Sequence, residues 1–255
     1  MLDALFFGAH PDDVELTSGG LAALLASHGH AVGIVDLTRG EKGTRGAAEE
    51  RADEAAAAAR ELGVAWRGSL GLPDLGLERR DRTQQAAVVT ALRLHRPRLV
   101  VAPDPDDPHP DHVEAAHLVA RACYLAGLAR FDADLGAPDS RGGTPPAGSL
   151  ERHRPERLLH ALYRTAARPH VVVDVTPVWE RRMRALRAHA SQLEAARGPA
   201  TYLTAPGFLD EVEARGRTLG ALIGARYGEG YRLRGPVPIL DARALLPSGT
   251  HGGAR

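Results

Sequence analysis

Two apolar runs, Leu2 to Gly8 and Leu99 to Pro103, each give way to a short stretch rich in histidine and aspartate: Ala9-His10-Pro11-Asp12-Asp13 after the first, His109-Pro110-Asp111-His112 after the second. An apolar run without polar alternation, bounded by Gly or Pro, reads as a strand buried on both faces, the pattern of a parallel sheet covered by helices. Open α/β sheets bind ligands beyond the carboxyl ends of their strands. Both stretches are therefore expected on one rim of a mostly parallel sheet.

The rest of the chain supports that architecture. A helix is expected over 16–28, where Leu16, Leu21, Leu24 and Leu25 recur at helical spacing, and a strand over 31–37. The Gly-rich loop 38–46 precedes an Ala-rich helix, 47–62, whose stop signal is Gly63. A strand at 64–71 runs into the turn Gly71-Leu72-Pro73-Asp74, and a helix at 82–95 leads to the strand ending at Pro103. Loop 104–110, made only of Asp, Pro and His, delivers the second stretch to a helix beginning near Asp111. Strands at 157–163 and 170–175 and helices at 177–196 and 206–226 complete the pattern. One domain over 1–246 is expected, with a long Gly/Pro/Ser/Arg-rich loop at 132–156 and a disordered tail at 247–255.

Composition narrows the function. Thirty-two basic residues balance thirty-two acidic ones, so no global field favours nucleic acid or an anionic membrane. With Cys123 as the sole cysteine, neither a disulfide framework nor a Cys-rich zinc knuckle is available, and a metal must take nitrogen and oxygen ligands. No apolar stretch approaches the roughly 18 residues of a membrane span and no basic leader precedes the first strand, so a cytoplasmic protein is expected.

Catalytic zinc takes three protein ligands and leaves a position for water. His10 and Asp13 lie three apart across a strand-to-helix turn, and His112 can complete a His/His/carboxylate set from the other loop. Asp12 is then free to act as a base and His109 to stabilise an oxyanion. A turn and helix N-cap would account for either stretch alone; their joint placement after two strands favours a shared site. Two histidines and a carboxylate also form the facial triad of iron oxygenases, though Asp12 and His109 beside it favour hydrolysis.

At these residues the sequence resembles the LmbE-like, or PIG-L-type, de-N-acetylases, through His10-Pro11-Asp12-Asp13 followed by Glu15 and through His109-Pro110-Asp111-His112. The likeness continues through Thr38-Arg39-Gly40-Glu41, Arg51, Leu72-Pro73-Asp74 and Ala188-His189-Ala190-Ser191-Gln192, over roughly residues 2 to 235. Together with Tyr227-Gly228-Glu229-Gly230-Tyr231-Arg232-Leu233, the Thr-Arg-Gly-Glu loop is most similar to the bacillithiol-pathway branch, which deacetylates N-acetylglucosaminyl L-malate.

The resemblance implies a Rossmann-like three-layer α/β fold and one Zn2+ per subunit (Fe2+ or another divalent metal being the alternative) on His10, Asp13 and His112. It implies Asp12 as general base, His109 at the oxyanion, and Arg51 in the substrate pocket. It further implies substrate contacts from Arg39, Glu41, Asp74, His189 and Gln192, a small-molecule sugar-conjugate substrate, and a homo-oligomer, trimer or hexamer. Asp111 is expected to orient a histidine ring or cap its helix. One departure stands out: that branch often carries arginine immediately before the second motif, whereas Pro108 here brings neither cation nor N–H donor. The function expected is removal of the N-acetyl group from an N-acetylglucosamine conjugate, the malate conjugate first. The alternatives are another such conjugate, or a metal-containing sugar-conjugate binding protein without turnover.

Overall fold

The computed structural model describes residues 1–131, 150–163 and 168–236. Most of the expected 132–156 loop and the whole 247–255 tail lie outside the described residues.

Strands β1 (Ala4–Gly8), β2 (Val32–Asp36), β3 (Trp66–Ser69), β4 (Leu99–Pro103), β5 (Arg157–Ala161), β6 (Val171–Asp174) and β7 (Gly228–Leu233) form one sheet in the order β3-β2-β1-β4-β5-β7-β6. Pairings from β3 through β5 are parallel; β7 runs antiparallel to both β5 and β6. This is the mostly parallel α/β sheet the sequence predicts.

Helices α1 (Asp13–Thr17), α2 (Gly19–Ser27), α3 (Ala48–Leu62), α4 (Arg82–His95), α5 (Pro110–Ala126), α6 (Trp179–Arg187), α7 (Ala190–Leu193) and α8 (Phe208–Ala221) surround the sheet. Successive residues of a strand point to opposite faces, and both faces are dry. Leu5, Phe7, Val35 and Val100 pack under α4 and α5, while Phe6, Ile34 and Val101 pack under α2, α3 and α6. The uninterrupted apolar runs follow from this double coverage. Among the described residues no helix is long and apolar enough to cross a membrane.

Three elements differ from expectation, each through a carboxylate or glycine acting from afar. The helix expected over 16–28 is two helices, broken at Ser18, because Glu229 of β7 accepts Gly20 N–H (2.7 Å) and Leu21 N–H (2.8 Å) and so caps α2 separately. A Cβ at Gly20 would crowd that carboxylate at 2.7 Å. The helix expected over 177–196 ends at Arg187, and the short α7 begins anew where Glu54 of α3 accepts Ser191 N–H (2.6 Å) and Oγ–H (2.7 Å). The helix expected to reach 226 stops at Ala221, and the chain turns through Gly224 (φ +73°) into β7, a strand the sequence did not announce. Gly228 and Gly230 of β7 lie tight against Leu219 of α8, so packing puts glycine where strand propensity would put β-branched residues.

The chain leaves β1 for β2 and β3 on one side, and leaves β4 for β5 on the other. The crevice at the carboxyl ends of β1 and β4 is thus the point where strand order reverses, the habitual ligand position of such sheets. The two His/Asp stretches emerge there.

Candidate metal centre and catalytic cleft

After β1 the backbone is pinned to the second loop, with Thr38 N–H (3.0 Å) and Oγ–H (2.9 Å) both donating to the Ala9 carbonyl. His10 N–H donates to Asp13 Oδ2 at 2.8 Å, closing the turn. Between them Asp12 adopts φ 127°, a conformation costly for any residue but glycine. Arg51 of α3 holds it there, its guanidinium donating to the Pro11 carbonyl (2.8 Å), the Gly40 carbonyl (3.2 Å) and Asp12 Oδ1 (3.4 Å). Gly40 must lack a side chain, since a Cβ would run into that guanidinium.

From β4, His109 caps α5: its Nδ1 accepts Asp111 N–H at 3.2 Å, and Pro110 fills the first helical position. Asp107 accepts His109 N–H at 2.8 Å. Arg232 of β7 pairs with Asp104 (3.1 Å) and Asp106 (3.5 Å) of the same loop.

His10, Asp13 and His112 then converge. His10 Nδ1 lies 3.6 Å from Asp13 Oδ2, His112 Nε2 lies 3.2 Å from Asp13 Oδ1, and one ligand atom from each of the three falls within 4.8 Å of the others. The far nitrogen of each imidazole faces a carboxylate: His10 Nε2 is 3.1 Å from Asp74 and 3.4 Å from Asp111, and His112 Nδ1 is 3.1 Å from Asp107. Metal-bound histidines are habitually oriented in this way. His10, Asp74 and Asp111 form a second possible grouping, but Asp74 Oδ2 already accepts Lys42 N–H (2.8 Å) and Asp111 Oδ2 accepts Leu75 N–H (2.7 Å). The His10, Asp13 and His112 set fits a divalent ion with nitrogen and oxygen ligands.

The electrostatics agree. Burial works against charge on both imidazoles, yet Asp111, Asp13 and Asp74 push His10 up to about 12, and Asp13 and Asp107 push His112 up to about 10. Burial likewise opposes the Asp13 carboxylate, but His112 and His10 hold it well below the usual range. Four carboxylates, Asp13, Asp74, Asp107 and Asp111, thus surround the two imidazoles of the site.

Two groups flank it. Burial pushes the Asp12 carboxyl up against the opposing pull of Arg51, as suits a base that must hold a proton part of the time. His109 is pushed down by burial and by the neighbouring His112 and His10. Because its Nδ1 accepts a backbone N–H, neutral His109 carries its proton on Nε2 and can donate from there. Its ring centroid is 4.9 Å from that of His10 and 4.7 Å from that of His112.

A cleft of about 400 Å³ opens over these side chains, walled also by Lys42, Leu75, Tyr163 and Leu203. The residues expected to touch substrate divide. Arg51 and Gln192 line the cleft, although the Gln192 amide nitrogen is held by the Arg45 carbonyl (2.8 Å) and Ser191 Oγ (2.9 Å). Asp74 lines it as the partner of His10. Glu41 lies outside the lining and braces the loop, accepting Asp74 N–H (2.9 Å) and Arg39 N–H (3.2 Å). Arg39 is exposed beside a separate hollow of about 200 Å³ next to Pro11 and Asp36. His189 is buried behind the site, 3.4 Å from Glu15. Asp107 and Tyr163 escaped sequence reasoning. The acidic run before Pro108 was a signal for the first, and position at the end of a strand beside β4 was one for the second.

Fold and site together define an α/β protein with two histidines and an aspartate that could hold a metal ion at the sheet's reversal point, beside a buried carboxylate and a further imidazole. Residues 5–123 match the family PIG-L, GlcNAc-PI de-N-acetylase. Among curated relatives, a 1D-myo-inositol 2-acetamido-2-deoxy-alpha-D-glucopyranoside deacetylase from Mycobacterium sp. (strain KMS) is 33% identical over 232 residues, covering 75% of this chain and 74% of its own length. A 4-oxalmesaconate hydratase from Pseudomonas putida is 30% identical, over 74% of this chain and 73% of its own. Among solved structures, the conserved protein TT1542 from Thermus thermophilus superposes with a TM-score of 0.78 at 35% identity, over 94% of this chain and 98% of that one. The chain belongs to the PIG-L (LmbE-like) deacetylase family.

Proposed function

We propose that this protein is a zinc-dependent hydrolase that removes the N-acetyl group from an N-acetylglucosamine conjugate with an acidic aglycone, N-acetylglucosaminyl L-malate being the first candidate. The observation that carries the reading is the meeting of His10, Asp13 and His112 in one cleft with Asp12 and His109 beside them. Zinc held by the three ligands would supply Lewis acidity at the amide carbonyl and make water a better nucleophile. Asp12 takes a proton from the attacking water and delivers it to the leaving nitrogen, so that amide and water become acetate and free amine. His109 Nε2–H donates to the oxygen on which negative charge develops. Arg51 keeps Asp12 in its strained conformation and in reach of the reacting atoms.

Lys42 supports the acidic aglycone: it lines the cleft and is exposed, whereas the other lining cation, Arg51, is engaged by Asp12 and two carbonyls. The closing stretch shared with the malate branch bears on stability instead, because its Glu229 caps α2. The hydratase relative favours a second reading, addition of water to an unsaturated polycarboxylate. Against it stand three carboxylates in the lining, Asp12, Asp13 and Asp74, and one uncommitted cation.

The experiment is a panel of N-acetylglucosaminides with malate, inositol and a second sugar as aglycone, offered to the zinc-loaded protein with acetate release as readout. Acetate from the malate conjugate in preference to the others is the expected result. Acetate from none of them, with 4-oxalmesaconate hydrated, would establish the second reading; saturable glycoside binding without acetate would make the protein a binder.

A further inference from the structure

A second cleft, about 720 Å³ in volume, lies along α5 and β5 and shares no lining residue with the catalytic one. Its walls carry Arg79, Arg121, Arg154, Arg234 and His117. Arg79 is neutralised by Glu114, at 2.6 Å. Among the described residues no carboxylate lies within ion-pair distance of Arg121, Arg154 or Arg234, all three exposed. In a chain whose basic and acidic residues cancel, three uncompensated guanidinium groups around one concavity are a local surplus, not a reflection of a basic protein. Burial first, then Arg79 against the opposing pull of Glu114, and then Arg234, hold the His117 imidazole of this cleft below its usual range.

The remaining wall is apolar. Tyr124 is 56% exposed, with the Arg154 guanidinium 4.7 Å from its ring centroid, and Leu125 and Leu158 lie beside it. The volume is that of pockets that enclose molecules of nucleotide or drug size. Guanidinium forks match phosphoryl oxygens two at a time, and a phosphate ester brings up to two charges to satisfy several of them.

We propose that this cleft is a binding site for an organic phosphate, with its phosphoryl groups on Arg121, Arg154 and Arg234 and its organic part against Tyr124 and Leu158. The site begins on α5 beyond the catalytic histidines: Tyr124 lies twelve residues after His112, about 18 Å along a helix. An occupant is therefore a ligand distinct from the amide substrate.

Calorimetric titration of the metal-loaded protein with ADP as probe, and with adenosine as its phosphate-free counterpart, tests the proposal without depending on any catalytic activity. Saturable ADP binding is expected, with adenosine binding at least about tenfold weaker and an Arg121→Glu, Arg234→Glu double variant losing about tenfold or more. Thermal unfolding and metal content of the variant should match the parent, and Arg154→Glu provides an independent second variant should the double one fail to fold. Absence of ADP binding, equal binding of adenosine, or binding insensitive to the arginine changes but abolished by removing the metal would each overturn the proposal.

Discussion

Asp107 offers the sharpest test of the proposed metal centre, because it touches the three candidate ligands only through His112. Its carboxylate is 3.1 Å from His112 Nδ1, with the side chain 3% exposed, and it also accepts His109 N–H at 2.8 Å. A buried, charge-assisted hydrogen bond of this kind is worth about 1.5–3 kcal/mol, and losing the partner of a ligating histidine costs roughly 10- to 100-fold in metal affinity. Asp107→Ala should weaken zinc binding over that range, while Asp107→Asn, which keeps an acceptor without the charge, should fall near the lower end. Competition against a chromogenic chelator of known affinity measures both. At saturating zinc the turnover of the Asn variant should return to within a few fold of the parent, since His112 is reseated by the metal. Metal-free thermal unfolding separates the effect on the α5 cap from the effect on the ligand. A zinc dissociation constant unchanged in Asp107→Ala would refute the assignment of His112 Nε2 as the ligating atom.

Three further outcomes follow from the geometry. Asp12→Asn should retain zinc and lower the deacetylation rate by about 10²- to 10⁴-fold, the span of a general base; full activity in a metal-replete Asn variant would show that another group takes the proton. Asp12→Gly and Asp12→Ala delete the same carboxylate and differ at φ 127°, so denaturant unfolding should find the glycine variant more stable by about 1 kcal/mol or more. Burial opposes the Glu15 charge, but Arg67 and His189 bring its carboxyl from an ordinary 4.5 to about 2. A depressed folded value means stability fully present above the unfolded value and lost as pH falls from 4.5 toward 2, about 3 kcal/mol in all; in a Glu15→Gln variant that part of the acid dependence should disappear from the unfolding free energy.

The residues of the proposed metal site could be picked out in the sequence because each half is local. His10, Asp12 and Asp13 sit on one strand-to-helix turn, and His109 and His112 on another, and parallel-sheet geometry brings such turns to the same rim. Less legible were residues whose partners are distant. Thr-Arg-Gly-Glu looks like a substrate loop, but Glu41 binds the Asp74 backbone and Gly40 clears a path for Arg51. Glu229 lies 209 residues from the helix start it caps, and Glu54 lies 137 from Ser191. Such contacts leave no periodicity behind.

What the sequence by itself determined is therefore the alternation of buried strands and helices, and the two short turns that carry the clustered histidines and aspartates. Hydrophobic period and turn chemistry are properties of neighbouring residues, and they survive without the fold. The tertiary structure alone decided which nitrogen of each histidine faces Asp74, Asp111 or Asp107, where α2 and α7 begin, that β7 enters the sheet antiparallel, and which loop residues brace the cleft instead of lining it. Each of these depends on a buried charge or N–H finding its partner across the chain, and burial makes that pairing obligatory.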